Sequence, residues 1–246
     1  MEMQFFVPPG TELDFYENWK QKRLNWHLAL GLGQENYRFH DHEKLAHYAN
    51  AAADIEFKFP FGFKELEGIH SRTDFDLGAH EKYSGRKLQY FDPERNETYV
   101  PYVVETSIGL DRMFLALFSH CLKNEVLEDG SERVVLALPP ALAPVKAAIL
   151  PLVKKDGLPE LAEKIFNDLK YDFNIISEEK DSIGKRYRRQ DAIGTPFCIT
   201  VDHDSLADGT VTLRERDTMK QERVKIEDLR KIIDDKVNFR TLLSKI

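Results

Sequence analysis

The chain has 246 residues, of which 42% are hydrophobic and 31% charged, with a formal net charge of −7. This composition reads as globular and not disordered, and the acidic balance excludes a protein that coats nucleic acid by charge alone, which needs an excess of Lys and Arg. The only two cysteines, Cys121 and Cys198, exclude a disulfide framework and a cysteine zinc site; no apolar run reaches membrane-span length, and no leader pattern precedes Phe6, so no membrane partner and a cytoplasmic location are expected.

In chain order, Met1 to Val7 is apolar and is stopped by Pro8-Pro9-Gly10. Thr11-Glu12 reads as a helix start, and Leu13 to Leu30 has a helical pattern that Gly31 ends. His40, His42 and His47 follow. Three imidazoles this close could ligate zinc, but His40 and His42 alternate, His47 falls on an expected helix with Leu45 and Tyr48, and no cysteine joins them, so packing and hydrogen bonding are preferred over a metal. Ile55, Phe57, Phe59, Phe61 and Phe63 alternate, as in a half-buried strand broken by Pro60 and Gly62. Lys64 to Leu77 is dense in paired polar groups, and by spacing alone reads as a solvated turn with local ion pairs. Lys82 to Arg95 is a polar connection, with Asp92 to Glu97 as the turn of a hairpin that leads to Tyr99.

The segment from Tyr99 to Leu122 reads as a strand, a turn at Ser107-Ile108-Gly109, and a helix that opens on Asp111 and Arg112. A two-residue period puts Val103, Glu105 and Ser107 on one face, where a carboxylate beside a hydroxyl suits a small ammonium group. Leu110, Met113, Phe114, Leu117 and Cys121 form one apolar stripe, and Arg112 lies about 200° around the helix from Leu110. Its place in the first turn suits an anion, because free N–H groups and the positive end of the dipole are there already. The alternative is a surface ion pair with Asp or Glu.

After a charged break from Lys123 to Glu132 comes a short strand, Val134 to Leu138, and Pro139-Pro140 marks the boundary between an expected domain 1–140 and a second, 141–246. The second alternates strand and helix: strands at 147–152, 173–176, 197–201, 210–213 and 222–226, helices at 158–170, 182–192 and 227–243, the pattern of an α/β sheet. Lys185, Arg186, Arg188 and Arg189 flank Tyr187 and offer charge plus one stacking surface, which suits single-stranded loop bases, although such a run is also an ordinary solvated helix face. Arg214, Arg216 and Arg223 would extend the patch.

Glu105-Thr106-Ser107-Ile108-Gly109-Leu110-Asp111-Arg112 resembles the third signature motif of class II aminoacyl-tRNA synthetases, with Thr106 where that family usually has proline. The resemblance runs over nearly all of the chain and is strongest to glycyl-tRNA synthetases of the homodimeric type. Met1 to Phe6 resembles the closing strand of the second motif, Glu65-Leu66 and Arg72-Thr73-Asp74 match the family's next segments, and residues from Ala143 onward resemble the anticodon-binding domain shared by glycyl-, threonyl-, prolyl- and histidyl-tRNA synthetases.

The resemblance implies part of an antiparallel-sheet catalytic domain (α+β) followed by an α/β anticodon-binding domain. It implies activation of glycine with ATP and Mg2+ and its transfer to tRNA-Gly, without a protein nucleophile. Glu2, Glu105, Thr106, Ser107, Ile108 and Gly109 would surround glycine. Glu65, Leu66, Gly109, Leu110, Asp111 and Arg112 would surround ATP, with Arg72 and Asp74 supporting the sheet floor. Lys185, Arg186, Tyr187, Arg188 and Arg189 would meet tRNA. Full-length members are homodimers. The first motif and the arginine of the second have no counterpart here, so the chain alone is expected to be inactive. The different-class alternative is a non-catalytic nucleic-acid-binding paralogue or accessory subunit.

Overall fold

The computed structural model describes residues 1–244, and the chain forms two compact units, Met1–Ser119 and a second from His120 onward. In the first unit, β1 (Glu2–Val7), β2 (Tyr37–Asp41), β3 (Ala51–Phe59), β4 (Gly62–Ser71) and β7 (Tyr102–Ile108) make a five-stranded sheet in the order β1-β7-β4-β3-β2. Every pairing in it is antiparallel. Helix α1 (Glu12–Ala29) covers one face, where Ile55, Phe57, Ile69 and Val104 are buried and Phe5 meets Phe15 and Trp19 at ring-centroid distances of 5.3 and 5.4 Å. Thr11 stands at the N-cap of α1, but its hydroxyl donates to Pro8 O instead of capping the helix.

The alternating phenylalanines belong to a hairpin and not to one broken strand. Phe59 pairs with Gly62 across a two-residue turn at Pro60-Phe61, because Pro60 has no N–H for the ladder and Gly62 supplies a φ of +101°. His47 lies in a turn and not on a helix, with its ring 4.9 Å from that of Phe75. The polar stretch after Gly62 is a strand, followed by α2 (Phe75–Ser84), which the hydrophobic pattern does not announce. β5 (Tyr90–Asp92) and β6 (Glu97–Tyr99) form the expected small hairpin. Helix α3 (Leu110–Cys121) forms as expected but buries Met113, Ala116 and Cys121, while Leu110 and Phe114 of the expected stripe are exposed.

In the second unit the charged break is itself a hairpin, β8 (Leu122–Val126) with β9 (Glu132–Leu136). The main sheet has the order β11-β10-β12-β13-β14, built from β10 (Ala147–Pro151), β11 (Ile175–Ser177), β12 (Phe197–Val201), β13 (Thr210–Glu215) and β14 (Gln221–Lys225). β10 runs parallel to β11 and β12, and β13 and β14 add on antiparallel. Helix α4 (Leu158–Leu169) carries Leu158, Ala162, Ile165 and Leu169 at helical spacing into one core with Ile149, Ile199 and Leu213. Short α6 (His203–Asp208) is capped by Asp202. The expected last helix is two, α7 (Leu229–Val237) and α8 (Phe239–Leu243), because Asn238 turns extended and its side chain caps the Arg240 N–H at 2.8 Å. On the other sheet face Ala148, Leu150 and Cys198 pack against Ile183 and Tyr187 of α5 (Ile183–Ile193). Burial pushes the Cys198 thiol up to about 12.

Candidate functional site

Register builds the first site. β1 sets Glu2 opposite Ser107, Gln4 opposite Glu105 and Phe6 opposite Val103, while β4 sets Gly68 opposite Ser107 and His70 opposite Glu105. Facing residues of an antiparallel ladder share a face, so Glu2, Gln4, Glu105 and Ser107 stand together on the side away from α1. A pocket of about 400 Å3 opens there, lined by Glu2, Gln4, Phe6, Val103 and Glu105 from the sheet and by Arg72, Asp76, Leu77 and His80. Glu105 is 8% exposed, and its carboxylate accepts from Gln4 Nε2 at 2.6 Å and Arg72 Nη1 at 3.3 Å. Beside it, burial holds the His70 imidazole below its ordinary value. Thr106 and Ile108 alternate to the opposite face, where both are buried, so their side chains do not line this pocket.

A second polar group lies at the start of α3. Arg112 Nη1 donates to Glu65 O at 2.8 Å and lies 3.1 Å from a Glu65 carboxylate oxygen, with both side chains about half exposed. Glu65 reaches this face because of a β-bulge: Ile55 pairs with Glu67 and the next residue, Glu56, pairs with Glu65, which leaves Leu66 as the extra residue. Leu66 is 1% exposed, so its side chain packs in the interior and is not free to touch a ligand. Leu110 and Asp111 are exposed in the first turn after Gly109.

In the second unit the basic run divides. Arg186 is 2% exposed, and its guanidinium donates to the backbone oxygens of Pro151, Leu152 and Glu178, so its charge is used inside the fold and is not offered to RNA. Tyr187 is half-buried, with its hydroxyl 2.6 Å from Thr200 Oγ1 and the Arg214 guanidinium 4.7 Å from its ring centroid, which removes it as an open stacking platform. Arg189 pairs with Glu178 and Asp181. Lys185 is exposed and Arg188 partly so, and among the described residues neither makes a hydrogen bond or ion pair. Arg214 and Arg216 are also buried, Arg214 against Asp191 and Arg216 against the oxygens of Gly194 and Leu138, while Arg223 is held by Asp202. The basic patch is thus Lys185 and Arg188, and most of the other arginines hold the unit together.

Residues 146–236 match the family described as an anticodon binding domain. The glycine–tRNA ligase of Chlorobaculum tepidum is 56% identical over 225 residues, which is 91% of this chain and 48% of that protein. The corresponding enzymes of Borrelia hermsii and Clostridium perfringens are 54% and 52% identical over 93% and 97% of the chain, and 53% and 52% of their own lengths. In sequence the chain fits a C-terminal portion of a glycyl-tRNA synthetase. It spans about half the length of the curated relatives it matches. Its antiparallel first unit and α/β second unit are the architecture expected of that portion of a class II synthetase.

Gln4 and Asp76 were not among the residues that the synthetase resemblance singles out, yet both reach the Glu105 pocket or its arginine. The sequence carried a signal for each. Gln4 is two residues beyond Glu2 and so shares its strand face, and Asp76 is four residues beyond Arg72, the distance of a local ion pair.

Proposed function

We propose that the chain carries the glycine, nucleotide and tRNA contacts of a glycine–tRNA ligase, an enzyme that activates glycine with ATP and transfers it to tRNA-Gly. The observation that carries this reading is the convergence of Glu2, Glu105 and Ser107 on one sheet face, in a chain more than half identical to glycine–tRNA ligases. Glu2 and Glu105 accept the glycine ammonium, a charge-assisted contact of about 1.5–3 kcal/mol. Bulkier amino acids are refused by steric exclusion, since one missing methylene contributes only about 1–3 kcal/mol of discrimination by attraction.

In activation, a glycine carboxylate oxygen bonds to the α-phosphorus of ATP while the bond to the β-phosphate oxygen breaks and pyrophosphate leaves. The protein aligns the reactants and stabilises phosphate charge, and supplies no covalent nucleophile. Arg112 takes the terminal phosphate. Its half-exposed pairing with Glu65 is worth at most about 1 kcal/mol, so it exchanges readily for a phosphate oxygen. Glu65, freed of that pairing, would be a carboxylate available to a Mg2+ ion bound with the nucleotide, which would neutralise phosphate charge. In the second unit Lys185 and Arg188 meet the tRNA. The working enzyme is read as a homodimer in the cytoplasm.

The test has two arms: binding of tRNA-Gly transcript against a non-cognate transcript by this chain, and glycine-dependent ATP–pyrophosphate exchange by the chain completed with the N-terminal half of a relative. Selective binding with exchange supports the whole reading. Selective binding without exchange favours the non-catalytic paralogue, and absence of selective binding at low salt overturns both.

A further inference from the structure

The segment from Lys82 to Phe91 departs from the charge of the chain around it. The whole chain has a net charge of −7, yet this stretch holds Lys82, Arg86 and Lys87 and no acidic residue. Among the described residues these three side chains make no hydrogen bond or ion pair. By contrast, the other five arginines of the first unit each lie 3.8 Å or less from a carboxylate oxygen. Aromatic rings stand between the unpaired cations: Tyr83, Tyr90 and Phe91 are 83%, 52% and 55% exposed. The backbone holds the segment in place. Gly85 takes a φ of +67° and its N–H closes α2 on Glu81 O at 3.0 Å. The Glu81 carboxylate then accepts from the Leu88 N–H at 3.4 Å and from Gln89 Nε2 at 3.1 Å, and Tyr90 pairs with Tyr99 across β5 and β6, ring centroids 5.9 Å apart. The segment starts beside the pocket, because α2 gives Asp76, Leu77 and His80 to its lining and Tyr83 follows His80 by three residues, one turn on along the same helix side.

We propose that this segment is the surface on which the single-stranded 3′ end of tRNA lies, with Lys82, Arg86 and Lys87 meeting its phosphates and Tyr83, Tyr90 and Phe91 offering ring faces to its unpaired bases. The proposal rests on the reading of the neighbouring pocket as the glycine site, where that end must arrive to receive the amino acid. A lipid surface or an apolar protein partner calls for a contiguous aliphatic face, and Leu88 is the one aliphatic residue between Lys82 and Phe91. Duplex RNA keeps its bases stacked inside the helix, so exposed rings gain from bases only where the strand is unpaired. The acidic residues of the hairpin, Asp92, Glu94 and Glu97, lie toward its turn, at the other end from Tyr90 and Tyr99, so they leave the basic stretch clear for phosphate.

The test measures binding of two RNA minihelices by the chain at two salt concentrations, one carrying the acceptor stem of tRNA-Gly with its single-stranded 3′ end and one ending flush. Neither has an anticodon loop, so neither can use anticodon contacts. Wild type is expected to prefer the minihelix with the 3′ end by about tenfold. The variant with Lys82→Gln, Arg86→Gln and Lys87→Gln together loses about tenfold or more of that affinity and flattens the slope of log K against log salt by about 2. The variant with Tyr83→Ala and Phe91→Ala loses the preference for the 3′ end, with the melting temperature unchanged. Equal binding of both minihelices by wild type overturns the proposal, as does wild-type affinity in the charge variant. If the aromatic variant does not fold, the charge variant decides alone, since its changed side chains are exposed and unpaired. A wild type that binds tRNA-Gly selectively but neither minihelix overturns the proposal and leaves the tRNA reading standing. One that binds no tRNA-Gly at low salt overturns that reading, and the proposal with it.

Discussion

Glu65 and Glu67 are two residues apart in β4 yet face opposite sides of the sheet. The bulge at Leu66 turns Glu65 toward Arg112, while Glu67, fully buried, faces α1. There it accepts from Arg23 Nε at 2.6 Å and from His27 at 2.8 Å. One strand thus gives a half-exposed carboxylate to the Arg112 side and a buried, fixed one to the helix side.

Replacing the fixed one should unfold the unit more easily. Burial by itself pushes the Glu67 carboxyl up, but the hydrogen bonds from His27 and Arg23 outweigh it and hold the group below its ordinary value. Glu67→Gln removes the charge those partners face, at a cost of about 3–5 kcal/mol, measurable by urea unfolding. Because the folded-state value is depressed, this stabilisation is present above the unfolded carboxylate value of about 4.3 and is lost as pH falls through the folded value. The gap between wild type and Glu67→Gln should therefore narrow below about pH 4.

Asp191 makes a parallel case in the second unit. It is fully buried and accepts from Arg214 at 2.7 and 3.0 Å and from Arg133 at 3.1 Å, which ties β9, α5 and β13 together. Asp191→Asn leaves two buried guanidinium groups without their shared counter-charge and should lower stability by about 3–5 kcal/mol. Loss of cooperative unfolding of this unit in a thermal melt would be the extreme form of that outcome.

The basic helix α5 separates affinity from stability. Charge reversal at Lys185 and Arg188 should weaken tRNA binding and reduce its salt dependence, while the melting temperature stays near that of wild type. Arg186→Ala should do the reverse and destabilise the fold by about 1–3 kcal/mol, because Pro151 O and its neighbours lose their donors. Electrophoretic or filter binding at two salt concentrations, with a melt on the same samples, checks both.

In the chain completed with the N-terminal half of a relative, Arg112→Ala should slow glycine-dependent pyrophosphate exchange by about 10²–10³-fold, the usual effect of removing one electrostatic contact to developing charge. Since its ion pair with Glu65 is half exposed, the variant's stability should change by less than about 1 kcal/mol. A variant with normal exchange would remove Arg112 from the nucleotide site.

The strand, turn and helix around Glu105 and Arg112 were legible because apolar period and glycine placement speak directly about local backbone. The opposition of Glu2 to Ser107 was not legible from spacing, since it is a register between distant strands. Glu65-Leu66-Glu67 alternates polar and apolar as if both carboxylates shared a face, and only the bulge, a property of the ladder, parts them. Arg186 and Lys185 are neighbours of similar chemistry in a single run. Which of them lies inside depends on where α5 docks on its sheet, and that is decided by Ile183 and Tyr187 meeting Leu150 and Cys198.

Gln4 and Glu105 are 101 residues apart in the chain. At ordinary rates of synthesis of about 5–20 residues per second, β1 leaves the ribosome about 5–20 s before the strand it must join. Joining two such distant strands closes one of the longest loops in the first unit, and long-range pairing of this kind is slow. The pocket that holds Glu2 and Glu105 is therefore completed late, after the β3–β4 hairpin of the same sheet can already have zipped. For this chain, possession of the pocket is a marker of finished folding.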